Sequence, residues 1–92
     1  MDENRSREEF DTGLKKIRLE IKSLLVPHGL YGRITDVDTG PSDSPVGSKI
    51  EIIANGRTAG RSFDRRQIED CHLRVGGPVL VAIVSMVDEL AA

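Results

Sequence analysis

Several things are scarce in this 92-residue chain, and each scarcity narrows what it can be. One cysteine, Cys71, leaves no partner for an internal disulfide, so the chain is not a disulfide-stapled secreted scaffold. Three aromatic residues, Phe10, Tyr31 and Phe63, and no tryptophan weaken any case for a stacking platform for bases or sugars and leave the core to Ile, Leu and Val. The longest apolar run, beginning at Val79, is about half of the roughly twenty residues a membrane span requires, so no membrane partner is expected. An excess of basic charge is also missing: the formal net charge is −2, which argues against general affinity for polyanions without excluding a local patch. The opening MDENRSREEF lacks the apolar stretch of a secretory signal, and a cytoplasmic location is expected. In that setting the acceptor triplet Asn4-Arg5-Ser6 is not a glycosylation site.

What is present is ordinary for a folded domain: 38% hydrophobic and 30% charged residues. So short a chain has apolar surface for one core only. A disordered tail over residues 1–5 should precede a single domain over 6–92. Ser6 followed by Glu9 has the form of a capping box, predicting a helix start. Phe10, Leu14, Ile17, Ile21 and Leu24 then recur at helical spacing, with acids early and lysines late as the helix dipole favours. Gly13 inside this helix is a cost, and Pro27 with Gly29 ends it.

Leu30 to Val37 reads as a strand, and Asp38 to Gly47 (DTGPSDSPVG) as a mobile loop. Lys49–Ala54 and Arg57–Ser62 form a hairpin about Asn55-Gly56, the dipeptide of a type I′ turn. That turn sets Ile52 opposite Ala59 and Ile53 opposite Thr58, so Ile50, Ile52, Ala54 and Ala59 share the core face. Asp64, with Gln67 three positions on, caps a short helix carrying Ile68, Cys71 and His72 on one side. Gly76-Gly77-Pro78 breaks it. Residues 78–90 fit a final helix with Val81, Ala82, Ser85, Asp88 and Glu89 on the outer side, although their β-branched content would also suit an added strand. The expected fold is α+β: an N-terminal amphipathic helix, a three-stranded antiparallel sheet, a short helix and a C-terminal helix, with helices on one face of the sheet.

Chemical signatures are weak. Asp36, Asp38, Gly40 and Asp43 resemble the start of a calcium loop, but the glycine falls one position early and Gly47 replaces the bidentate glutamate. Adjacent Cys71 and His72 point about 100° apart on a helix, and only His28 remains as another strong nitrogen ligand, so neither a metal site nor thiol catalysis is expected. Gly47-Ser48-Lys49 lacks the glycine and context of a phosphate loop. No catalytic residue, cofactor or metal is assigned.

Two surfaces remain. Arg57, Arg61, Arg65 and Arg66 cluster on the hairpin and the start of the next helix, where they could bind a nucleic-acid backbone or another anion, or merely shield a sheet edge and pair with Glu51, Glu69 or Asp70. The first helix carries the second. Its seam Phe10, Leu14, Ile17, Ile21, Leu24 could pack at home or across a dimer. Leu19 lies opposite the seam among Lys15, Lys16, Lys22 and Ser23, where the helix itself gives it nothing to pack on. The function expected on these grounds is a non-enzymatic protein-interaction module, with a protein partner or a homodimer, and anion binding as the alternative.

Overall fold

In the computed structural model the backbone is described for residues 2–41 and 43–92, and the side chains from Arg7 onward except position 42. The chain forms helix α1 (Asp2–Leu25), a 3-10 turn (Val26–His28), strands β1 (Arg33–Thr39), β2 (Gly47–Ala54) and β3 (Arg57–Asp64), and helices α2 (Arg65–Asp70) and α3 (Gly77–Ala91). The expected α+β architecture is the observed one. The sheet is antiparallel in the order β1-β2-β3, and residues 78–90 are helical rather than a fourth strand.

Helix α1 runs upstream of Ser6 to Asp2, where the acidic Asp2 and Glu3 suit the positive end of the helix dipole. The capping contact expected at Ser6 lies outside the described side chains, as does Met1 of the expected tail. The other end is closed by its own sequence. Gly29 is left-handed at φ 68°, its N–H donates to Val26 O at 2.9 Å, and the Leu30 N–H reaches back to Leu25 O at 3.2 Å. These two bonds are a Schellman ending, and they use Leu30 to finish the helix. The strand therefore starts at Arg33, three residues later than its composition suggests. It also runs further, to Thr39, because Asp38 and Thr39 pair with Ser48 and Gly47. Residues 40–46 make the connection, tied by Val46 N–H to Thr39 O at 2.8 Å.

The Asn55-Gly56 turn has positive φ at both residues, 55° and 70°, as type I′ requires. It imposes the expected register, Ile52 against Ala59 and Ile53 against Thr58. Asp64 caps α2 as expected: its carboxylate accepts from Gln67 N–H at 2.8 Å, and Gln67 Oε1 accepts from Asp64 N–H at 3.0 Å.

Alternation along the strands puts Ile34, Ile50, Ile52, Ala54, Ala59 and Phe63 on one sheet face, buried under the helices. From above, α1 contributes Phe10, Ile17, Ile21 and Leu25, α2 contributes Ile68, and α3 contributes Val79, Ile83, Met86, Val87 and Leu90. Each of these side chains larger than alanine stabilises the fold by roughly 1.5–3 kcal/mol through apolar burial. The other sheet face has no helix over it, and Val37, Lys49, Ile53 and Thr58 on it are exposed.

Gly13 has a packing role that its helical position alone does not suggest. A Cβ built there would sit 1.9 Å from the carbonyl oxygen of Ile68, so the bare backbone of α1 at this point is what lets α2 approach. The helix gives up about 1 kcal/mol of propensity for that contact.

Candidate functional site

The hairpin arginines are largely engaged within the fold. Arg57 and Arg61 share the face of β3 on which α3 packs, and they meet the end of that helix. Arg57 Nη1 donates to the main-chain oxygens of Glu89 at 3.2 Å and Ala92 at 3.1 Å. Arg61 Nη2 bonds the Glu89 carboxylate at 2.8 Å, and Asn55 Nδ2 donates to Leu90 O at 3.0 Å. Turn and strand together thus supply donors to carbonyls that a helix end leaves without intrahelical partners, and place cations at the negative end of its dipole.

Arg65 pairs with Glu69 at 3.0 Å and reaches Ser44 Oγ at 3.2 Å and Pro45 O at 3.3 Å, fastening the 40–46 connection to α2. Arg66 is exposed, and among the described residues it has no hydrogen bond or ion pair. The four arginines do not converge on one open point. Three of them hold elements together.

The α1 seam is likewise used at home. Phe10, Ile17 and Ile21 are fully enclosed, while Leu14 and Leu24 are partly buried against the same core. On the flank of α1, Arg18 pairs with Asp36 and donates to Ile34 O at 3.0 Å, tying the helix to β1.

That pairing also commits a residue of the calcium-like segment. Asp36 and Asp38 lie along a strand instead of curling around a loop, and no group of three metal-ligating side chains occurs among the described residues. Cys71 is buried, and burial pushes its thiol up; the neighbouring Asp70 charge adds to that, while a main-chain hydrogen bond at Gly76 partly opposes it. A raised pKa keeps the sulfur neutral and weakly nucleophilic near pH 7. His72 turns away, its Nδ1 donating to Glu69 O at 2.8 Å. His28 sits exposed in the 3-10 turn. No helix among the described residues is long and apolar enough to cross a membrane.

Besides Val37 and Ile53 on the open sheet face and Val81 on α3, large apolar side chains are exposed at and beside the outer face of α1. Leu19 is 60% exposed and Leu73, in the connection between α2 and α3, is 78% exposed. These two leucines, 54 positions apart, line one hollow of about 260 Å³ together with Lys16, Glu20, Ser23 and Arg74. Seven residues beyond Leu19, on the same helical stripe, Val26 is 73% exposed and Tyr31 beside it 97%. They line a second hollow, of about 340 Å³, with Lys22, Leu25 and Leu30. The two hollows have no lining residue in common, and the helical spacing of Leu19 and Val26 links them into a row from Leu73 through Leu19 and Val26 to Tyr31.

Leu19 was legible as a residue without a helical reason. Leu73, Val26 and Tyr31 were not, although the spacing of seven between Leu19 and Val26 was a usable signal.

No family model matches the chain, and no curated protein or solved structure matches it. The functional reading therefore rests on the geometry of this stripe.

Proposed function

We propose that the chain is a non-enzymatic protein-interaction module whose contact surface is the stripe Leu73, Leu19, Val26 and Tyr31. The observation that carries this reading is that four large exposed apolar side chains come in two pairs, Leu19 with Leu73 and Val26 with Tyr31, each pair lining a hollow and the pairs related by the helical spacing of Leu19 and Val26. Isolated exposed leucines are normal, whereas a row of them lining concave surface is the form that partner-binding surfaces take.

Anion binding through Arg57, Arg61, Arg65 and Arg66 is less well supported, because helix α3, Glu89 and Glu69 already use the first three.

The test is site-specific photocrosslinking in cells expressing the full chain, with the photoreactive residue replacing Leu19, Leu73 or, on the open sheet face, Thr58. Adducts of higher mass at positions 19 and 73 but not 58 are expected. Equal labelling at all three positions, or none at 19 and 73, overturns the reading.

A further inference from the structure

The charges around the stripe say what kind of partner it suits. Leu19 is flanked on α1 by Lys15 and Lys16 one turn before it and Lys22 one turn after, and Arg74 stands on the opposite wall of its hollow. Among the described residues none of these four cations makes an ion pair or a hydrogen bond, and Glu20 is the single carboxylate lining either hollow. This is the reverse of the hairpin end, where cations meet carbonyls and carboxylates of their own chain.

Four unpartnered cations beside an apolar row favour an occupant that is itself acidic. A second copy docking through the same surface would face four cations with four cations, because a two-fold interface brings a patch against itself. The concavity matters too. Two hollows admit side chains projecting from a partner. The long axis of the stripe follows α1, and Leu19 and Val26 are spaced like the anchors read by a helix lying in a groove.

We propose that the occupant is an acidic amphipathic helix of another protein. Its apolar side chains, recurring every three to four residues, cover Leu19, Leu73 and Val26, and its flanking carboxylates meet Lys15, Lys16, Lys22 and Arg74. This rests on the stripe being an interaction surface and adds the chemistry of the partner.

The test uses the full chain and an array of helix-stapled peptides of about four turns, with leucine at helical spacing and either glutamate or lysine at every flanking position. The glutamate set should bind at least about tenfold more tightly than the lysine set, and weaken as salt rises from about 50 to about 500 mM. Binding should shift the amide resonances of Leu19, Lys22, Tyr31 and Leu73, and Leu19→Ser or Leu73→Ser should each weaken it by about tenfold. Both leucines are exposed, so these variants should fold as the parent does.

Equal binding of the two peptide sets, or binding by no member, overturns the proposal. So does tighter binding to phosphatidylglycerol vesicles or to a single-stranded oligonucleotide than to any peptide, or a dimer in sedimentation that Leu19→Ser abolishes. The two levels fail separately. If crosslinks form at position 19 while the acidic peptides do not bind, only the partner chemistry falls; if no crosslinks form there, the interaction surface itself falls.

Discussion

The hairpin end and the outer face of α1 both present several cations in a short space, and the fold treats them in opposite ways. Around Asn55-Gly56 the side chains of Asn55, Arg57 and Arg61 all point back at α3, where three residues near the helix end, Glu89, Leu90 and Ala92, accept their hydrogen bonds. Around Leu19 the lysines make no ion pair or hydrogen bond among the described residues, and the leucine shares a hollow with a second one instead of lying under a roof. A cluster of arginines in sequence is thus no measure of a binding site, since what matters is whether the fold supplies acceptors for it. A lone misplaced leucine counts for more once another element brings a second leucine to its side.

The inner face of α1 gives the sharpest test of this contrast. Gly13→Ala should raise helix propensity by about 1 kcal/mol, yet force the new methyl against the Ile68 carbonyl, for a net loss of about 3 kcal/mol in denaturant unfolding. A stabilised protein would show that α1 and α2 do not pack as described.

At the hairpin, Asn55→Ala should cost about 2 kcal/mol, combining a left-handed residue without glycine or asparagine and the lost bond to Leu90 O. Arg57→Ala should follow at about 1 kcal/mol, because it removes the donors from two carbonyls at the end of α3. The matching change on the other region, Lys16→Ala, should move stability by no more than about 0.5 kcal/mol. If Lys16→Ala cost as much as Arg57→Ala, the two regions would not differ in the way proposed.

The smallest expected effect belongs to Cys71, on neither surface. Its folded pKa is raised, so burial of the neutral thiol contributes its full stability below the unfolded value, and that contribution is lost as pH rises past roughly 8.5 and through the folded value. Unfolding midpoints measured between neutral and alkaline pH should fall more steeply for the parent than for Cys71→Ala. The parent thiol should also react slowly with a disulfide reagent until the protein unfolds. Parallel pH curves would remove Cys71 as the source.

Much of the fold was readable in local chemistry. The Asn55-Gly56 turn fixed the β2–β3 register because both residues tolerate positive φ, and the Asp64 and Gln67 pair marked the start of α2 because their side chains reach each other's backbone N–H. The apolar arcs of α1 and α3 named nearly all of the helical core. Two boundaries differ from the composition: Leu30 closes the helix through a local bond to Leu25 O instead of opening a strand, and Asp38 and Thr39 join β1 because β2 offers them partners.

By itself, then, the sequence determined the first helix, the hairpin and its register, and the cap of α2, since periodicity, capping and turn geometry act over a few residues, while helix or strand for residues 78–90 stayed open until the tertiary structure decided it. Only the tertiary structure decided which cations are spoken for and which apolar side chains are left over. Arg57 meets Glu89 across 32 positions, and Leu19 and Leu73, 54 positions apart, line one hollow. No local preference encodes either meeting; both follow from how α1, α2 and α3 stack on a single face of the sheet.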